Sequence, residues 1–352
     1  MSSPELVPGL RYVTVGEPGL RRLGKPPRFR YVDANGRPVR DPDALQRIRM
    51  LAIPPAYQDV WICADARGHL QALGTDARGR RQYRYHPDWR LHRDTGKFAR
   101  LTQFAEALPA IRARVTADLA LRDLPREKVL ATVVRLLETT LARVGNEEYA
   151  RTNDSFGVTT LRNEHVAVAG SAMRFHFRGK GGKVWRLRLE DRRVARVLRR
   201  CQELPGEQLF QYLAEDGTLQ SIGSADVNAY LREITEEAVT AKDFRTWAAT
   251  VNATFALLAM PKAESQSARK RQLNEAIKAT AARLGNTPTI CRKCYIHPAV
   301  QEAFLEDSLS LRLTPANDDP YALRPEEAAV LRFLRRGARR PNSEQPSVSR
   351  GP

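Results

Sequence analysis

The chain has 352 residues, a length that suits two domains; 58 residues are lysine or arginine and 40 are aspartate or glutamate, so the formal net charge is +18. This surplus favours a polyanionic partner, nucleic acid first, although a basic surface that only adds solubility stays open as the alternative. No apolar run approaches the roughly 20 residues that span a bilayer, and residues 1–10 lack the pattern of a secretory signal. We therefore expect a cytoplasmic, nucleoid-associated protein with no membrane partner.

Residues 1–97 have the pattern of a small β-rich domain. Three runs rich in β-branched and aromatic residues predict strands: residues 28–32, 59–64 and 70–74. The Asn35-Gly36 pair is a strong hairpin signal after the first of them. Residues 41–50 predict a short helix with Asp41 as its N-cap.

Residues 98–324 have a mainly helical pattern, so the fold class is α+β. Apolar residues recur at helical spacing in seven segments: residues 102–118, 125–143, 191–202, 224–238, 243–260, 263–284 and 287–308. Gly145 is expected to end the second of these helices. Residues 173–189 alternate as a β-hairpin with a basic, glycine-rich tip. Residues 325–352 predict a basic, disordered tail that begins with a short helix.

Four positions in the helical domain combine reactive and basic chemistry. Tyr295 follows a helix start at Thr287-Pro288 and is expected on that helix, either as a core residue or as a nucleophile. Arg245 suits a phosphate clamp or a salt bridge with Asp243 at a helix start. Two further cations are Arg143, expected at a helix end, and Lys180, at the hairpin tip. Each also has a plain structural interpretation: Arg143 would interact with the helix dipole, and Lys180 would be a solvated turn residue.

Cys291 and Cys294 form a C-x-x-C pair that invites a zinc or redox interpretation. A structural zinc site normally has four ligands, and the sequence holds no second C-x-x-C or H-x-x-x-H element. We therefore favour two chance thiols on one helix and expect no metal. The sequence also lacks a G-x-x-x-x-G-K-[ST] phosphate loop, so no nucleotide cofactor is expected.

Residues 79–85 read as a strand with a polar face and an aromatic face. Arg80 and Gln82 project from one side, and Tyr83 and Tyr85 from the other. Glutamine can read an adenine edge and arginine a guanine edge in the major groove of duplex DNA. An amphipathic strand with one solvated side is the alternative.

Taken in order, Arg143, Lys180, Arg245, Asn286 and Tyr295 match the motif set of type IB DNA topoisomerases. The motifs are R-x-G, G-K in a hairpin, K-D-x-R, and G-N-T-P with a tyrosine nine positions after the asparagine. The chain resembles the small poxvirus-type and bacterial members of that family over residues 20–310. The resemblance implies a β-rich DNA-binding domain and a helical catalytic domain of the topoisomerase IB and tyrosine recombinase type.

The resemblance also implies roles. Tyr295 would form a 3′-phosphotyrosyl link, Arg143, Arg245 and Asn286 would contact the phosphate, and Lys180 would be the general acid. Contacts to double-stranded DNA would come from six further residues: Arg80, Gln82, Tyr83, Tyr85, Tyr149 and Lys242. The family relaxes supercoils of either sign without ATP, metal or other cofactor, and we expect a monomer that clamps around the duplex.

One residue departs from part of the family. Poxvirus-type and eukaryotic members have histidine at the position of Asn286, whereas bacterial members have asparagine. An amide can donate a hydrogen bond to phosphate but cannot transfer a proton. Two alternatives stay open: a tyrosine recombinase, which typically has histidine at the position of Lys242, and a non-catalytic DNA-binding protein.

Overall fold

The computed structural model describes residues 7–77 and 79–338. The chain forms two compact units that divide between Lys97 and Phe98. The division falls inside a long helix, α2 (Pro87–Leu119). No helix in the described part of the chain combines the length and apolar character of a membrane span.

The first unit contains a five-stranded antiparallel sheet, one short helix and the start of α2. Its strands are β1 (Gly19–Lys25), β2 (Arg28–Val32), β3 (Gln58–Cys63), β4 (Leu70–Thr75) and β5 (Arg81–Tyr85), in the order β2-β1-β3-β4-β5. Helix α1 (Pro42–Met50) begins where Asp41 accepts hydrogen bonds from two backbone N–H groups. Its Ile48 is buried with Val60 and Ile62 of β3, which joins the helix to the sheet. Strand β1 was not predicted, because its sequence GLRRLGK lacks an apolar alternation.

The second unit is mainly helical. After α2 come α3 (Arg126–Thr140), α4 (Glu147–Asn153), α5 (Arg192–Gln202), α6 (Ser224–Thr235), α7 (Ala241–Leu258), α8 (Gln266–Leu284), α9 (Pro288–Cys294), α10 (Pro298–Leu305) and α11 (Pro325–Ala338). Helix α3 lies at the centre, since Val129, Leu130 and Val133 on it are fully buried.

A three-stranded sheet interrupts the helices. Its strands are β6 (Val166–Ala169), β7 (Ala172–Arg178) and β8 (Val184–Glu190), paired antiparallel in that order. The β7–β8 hairpin is the predicted one, and Phe175, Phe177 and Trp185 point from it into the core. Strand β6, with only four residues, and the short pair β9 (Gln211–Leu213) and β10 (Leu219–Ser221) were missed.

Two predicted helices end earlier than expected. The helix predicted over residues 125–143 ends at Thr140, because Leu141 adopts the left-handed conformation with φ 57°. The helix predicted over residues 287–308 is two helices, since Pro298 has no N–H to donate and disfavours helical backbone at the residue before it.

The short helix expected at the start of residues 325–352 is present as α11, but it is packed against the core and is not part of a disordered segment. Helix α11 buries Val330, Leu331 and Leu334 in the core of the second unit. The buried guanidinium of Arg112 on α2 also pairs with Glu327 of α11 at 2.8 Å, so the helix is held by both packing and charge. Residues 339–352 lie outside the described part of the chain.

Candidate active site

Most of the predicted catalytic residues line one cavity in the second unit. The cavity has a volume of about 520 Å³, and its lining includes Arg143, Lys180, Arg245 and Tyr295. Asn286 joins them through its side chain, whose Oδ1 accepts a hydrogen bond from Arg143. Residues from five separate segments, 152 positions apart at the extremes, therefore meet at one place.

Arg143 lies in an extended loop rather than at a helix end, which corrects the expectation of a helix-dipole residue. The left-handed Leu141 turns the chain out of α3 two residues earlier. Backbone hydrogen bonds then fix the loop, because Val158 N–H donates to the Arg143 carbonyl at 2.8 Å. Gly157 permits this contact, since a Cβ there would lie 2.6 Å from the same carbonyl oxygen. The half-buried guanidinium is thus held at the cavity by its own backbone.

Arg245 lies in the second turn of α7 and is 3% exposed. Its Nη1 donates to the Leu141 carbonyl, and its Nη2 donates to the Leu284 carbonyl at 2.8 Å. Nε has no hydrogen-bond partner among the described residues. Burial lowers the pKa of this guanidinium, and the nearby Tyr295 opposes that effect.

The predicted salt bridge between Asp243 and Arg245 does not form. Asp243 instead accepts hydrogen bonds from the backbone and hydroxyl of Thr240, both at 2.8 Å, as the N3 residue of a capping box. The acidic residue is therefore used by the helix start. Arg245 is left without a carboxylate among the described residues, which favours an anionic ligand.

Tyr295 is the C-cap residue of α9. The sequence predicted that it would lie within the helix, so this position corrects that prediction. Its side chain is 9% exposed, and the Arg245 guanidinium carbon lies 5.2 Å from the centre of its ring. Its carbonyl accepts a hydrogen bond from the buried Thr250 hydroxyl at 3.3 Å, which ties the segment to α7. The tyrosine is thus both mostly enclosed and next to a buried cation.

Asn286 follows Gly285, the left-handed C-cap of α8. Because its Oδ1 accepts from Arg143, its Nδ2 is the free donor end, and this buried atom has no partner among the described residues. A buried amide without a partner costs about 1–3 kcal/mol. The hydrogen bond that it lacks is one that a phosphate oxygen could accept.

Lys180 lies at the turn between β7 and β8 and is exposed. Trp185 packs beside Gly179, which precedes Lys180, and beside Gly285, which precedes Asn286. A Cβ at Gly179 would lie 2.6 Å from its Nε1, and a Cβ at Gly285 would lie 2.6 Å from its Cζ2. The indole therefore fixes the hairpin base against the end of α8.

Tyr149 and Lys242 also line the cavity. The Lys180 Nζ lies 5.7 Å from the centre of the Tyr149 ring, within the range of a cation–π interaction. The sequence interpretation missed Asn146 and Ser155, which line the same space. Asn146 is the N-cap of α4, and the acidic residues that follow it were the available signal.

The candidate DNA-contacting residues of the first unit lie on or next to the edge strand β5. Arg80 and Gln82 both bind Asp76, with Nη2 and Nε2 at 2.7 and 2.9 Å from its Oδ2. Tyr83 is 43% exposed, and its ring is stacked with that of Tyr85 at 6.1 Å. The aromatic face is thus open, whereas the polar face is held by a carboxylate.

The C-x-x-C pair lies on α9 with Cys291 buried and Cys294 partly exposed. Burial raises the pKa of the Cys291 thiol to about 11. The residues that the structure describes contain no group of three or more histidine, cysteine, aspartate or glutamate side chains placed to hold a metal.

Comparisons with known proteins point in one direction. Residues 86–311 match the family model for the catalytic core of eukaryotic DNA topoisomerase I, and residues 28–76 match the N-terminal domain of bacterial DNA topoisomerase IB. DNA topoisomerase 1B of Acanthamoeba polyphaga mimivirus is 30% identical over 78% of this chain and 84% of its own length. DNA topoisomerase 1 of rabbit fibroma virus (strain Kasza) is 26% identical over 67% of this chain and 72% of its own length. DNA topoisomerase 1B of vaccinia virus (strain Copenhagen) is 24% identical over 70% of this chain and 75% of its own length. The chain therefore belongs to the type IB DNA topoisomerase family of isomerases.

Proposed function

We propose that the protein relaxes positive and negative supercoils by cutting one strand of a DNA duplex, letting it rotate and resealing it. Tyr295 attacks the phosphorus, and the bond to the 5′-oxygen breaks as the bond to the phenolic oxygen forms. The product is a 3′-phosphotyrosyl link with a free 5′-hydroxyl. That hydroxyl reseals the strand by the reverse attack, so the phosphodiester energy is retained and neither ATP nor a metal is needed.

The observation that carries this proposal is the convergence of Tyr295 with two guanidinium groups and an unpaired amide at one cavity. Negative charge builds on the non-bridging oxygens as the tyrosine attacks, and fixed donors stabilise it because they need no reorganisation. Arg143 and Arg245 supply these donors, and Asn286 adds its Nδ2. Lys242, exposed at the same cavity, adds a further cation.

Lys180 donates the proton that the departing 5′-oxygen requires. Its place on a hairpin turn, with Gly181 and Gly182 at φ 79° and 77°, gives it the reach for this role. The Tyr149 ring, 5.7 Å from its Nζ, helps to position the side chain at the cavity before the duplex binds. General acid catalysis of this type contributes about 10²–10⁴ in rate.

The first unit contributes duplex contacts in this proposal. The stacked Tyr83 and Tyr85 contact the DNA, and Arg80 and Gln82 reach base edges after they leave Asp76. The two units of one monomer close around the duplex, and the net charge of +18 supports such a clamp.

Relaxation of supercoiled plasmid, with chelator and without ATP, tests the proposal against the Tyr295→Phe variant. We expect relaxation by the native protein and none by the variant, which keeps the aromatic packing. Relaxation by both would overturn the role of Tyr295. Retained DNA binding without relaxation by either would favour a binding protein, and strand exchange between sites would favour a recombinase.

A substrate with sulfur in place of the 5′-bridging oxygen tests the general acid separately. A thiolate leaves without protonation, so Lys180→Ala should cleave this substrate as fast as the native protein does. Arg245→Ala serves as the matched control and should stay slow, because its contribution is to the phosphate oxygens. A Lys180→Ala protein equally slow on both substrates would contradict the assignment.

A further inference from the structure

The sheet β6-β7-β8 has an outer face that the proposed chemistry does not use. Along β7 the side chains alternate between buried Met173, Phe175 and Phe177 and exposed positions. The exposed positions of β7 and β8 carry five basic residues: Arg174, His176, Arg178, Arg186 and Arg188. We call these five residues the basic face.

The register places basic residues opposite each other, and in one pair both are arginines. Arg174 pairs with Arg188 across the two strands, and His176 pairs with Arg186. Like charges in directly opposed positions destabilise a sheet, whereas an opposite-charge pair there would contribute about 0.2–1 kcal/mol. The basic face therefore opposes folding stability, unlike a solvated face of mixed charge.

Carboxylates do not neutralise the positive charge of the basic face. Glu190 is the one acidic residue in the three strands; it lies on the same face, two residues after Arg188 and opposite Ala172, and forms no ion pair with a described arginine. Within the described part of the chain, none of Arg174, Arg186 and Arg188 forms an ion pair. Arg178 forms one, with Asp154 at 4.0 Å, and both side chains are well exposed.

We infer that the basic face binds the phosphate backbone of duplex DNA away from the cleaved phosphodiester. This inference rests on the proposed function, because Lys180 at the hairpin turn marks where cleavage occurs. Arg174 is six residues from Lys180, which corresponds to about 20 Å along the strand. At 3.4 Å per phosphate of one strand, a duplex that runs along β7 meets the pair Arg174 and Arg188 about six base pairs away. The phosphates belong to the flank of the cleaved duplex, and a second duplex segment is the other outcome that the test distinguishes.

The salt dependence of binding tests the inference in the full-length chain. The sheet variant is Arg174→Ala/Arg186→Ala/Arg188→Ala, and its charge-matched control removes three exposed arginines elsewhere: Arg312→Ala/Arg324→Ala/Arg336→Ala. Each lost phosphate contact lowers the slope of log K against log salt by about 0.9, so the sheet variant loses up to about 3. We expect its affinity for a long duplex to fall at least about tenfold at 0.1 M salt, with the control unchanged.

Two arms identify the source of the phosphates. A duplex with about four base pairs on either side of the cleavage site is too short to reach Arg174 and Arg188. If the flank is bound, the sheet variant and its control should therefore bind this short duplex with equal affinity. For a second segment, the site is first filled by covalent trapping on that short duplex. A second, uncut duplex is then titrated, and weaker binding of it by the sheet variant would assign the basic face to a second segment and overturn the assignment to the flank. Absence of trapping by the native protein would refute the proposed function and leave the long-duplex arm valid.

A stability measurement excludes misfolding. Because the basic face is self-repelling, the sheet variant should unfold at the same or a higher temperature than the native protein. Arg188→Glu gives Arg174 an opposite charge, so it should stabilise the sheet while weakening DNA binding further. Equal affinities and equal salt slopes for the sheet variant and its control on the long duplex would overturn the inference.

Discussion

Replacement of Gly285 by alanine tests how the end of α8 is coupled to the hairpin. Gly285 has φ +65°, and an added Cβ would lie 2.6 Å from Trp185 Cζ2. The indole in turn packs against Gly179, the residue before Lys180. An added methyl group therefore acts on the segments that carry both Lys180 and Asn286.

Two effects determine how much unfolding free energy the Gly285→Ala variant loses. The left-handed conformation costs alanine about 1–2 kcal/mol. The overlap with Trp185 requires a shift of nearly 1 Å to reach ordinary contact, and overpacking of this kind costs about 1–3 kcal/mol more. Gly217 provides a matched control, because it has φ +77° in an exposed turn with no atom within 4 Å of its added Cβ. Gly217→Ala should carry only the first term.

Urea unfolding of the two variants measures the stability difference, and single-turnover cleavage measures the effect on the site. We expect Gly285→Ala to lose about 2–5 kcal/mol of unfolding free energy and Gly217→Ala about 1–2 kcal/mol. A displacement of about 1 Å at reacting groups can reduce the rate about 10²-fold, so cleavage should slow only in Gly285→Ala. Equal unfolding free energies for the two variants would refute the overlap with Trp185.

Three further predictions follow from buried groups. Burial lowers the pKa of His297 to about 4. Between about pH 4 and about pH 6.5 the imidazole is protonated in the unfolded chain but not in the folded one, so the free energy of unfolding falls with acidification by up to about 3 kcal/mol. His297→Asn keeps an N-cap acceptor and should remove this part of the pH dependence in urea unfolding. Arg112→Met leaves Glu327 buried without its cation and should cost about 3–5 kcal/mol by the same measurement. In maleimide labelling, Cys294 should react in the native protein and Cys291 only after unfolding.

Each of these has a contradicting result. An unchanged pH profile in His297→Asn would show that the imidazole is not held neutral by burial. A loss below about 1 kcal/mol in Arg112→Met would mean that water reaches the pair with Glu327. Labelling of Cys291 at the rate of Cys294 would contradict the raised pKa and enclosure of its thiol.

The sequence predicted elements best where local chemistry decides the structure. Asp41 before α1 and Thr287-Pro288 before α9 are caps that act within four residues, and both begin helices as expected. The β7–β8 hairpin followed from strict alternation. Strand β1 lacks that signal and forms because its neighbours β2 and β3 pair with it, which is a tertiary effect.

Helix ends were predicted less well. The helical pattern continues past Thr140, and nothing in the local sequence marks Leu141 as left-handed. Its carbonyl accepts from Arg245, which is 104 positions later in the chain. Likewise the docking of α11 depends on Arg112, more than 200 positions earlier, so the local sequence indicated a short helix there but not its packing against the core. Such contacts are invisible to reasoning that considers one segment at a time.

The site residues could be selected from spacing and resemblance, but their mutual dependence could not. Arg245 donates to the carbonyls of Leu141 and Leu284, and each of these residues lies two positions before another candidate phosphate ligand, Arg143 or Asn286. One buried guanidinium therefore organises the two segments that present the other donors. Arg143 and Asn286 are also joined directly by a hydrogen bond. Removal of Arg245 would displace both partners as well as delete its own phosphate contact, so its effect on cleavage should not add to theirs.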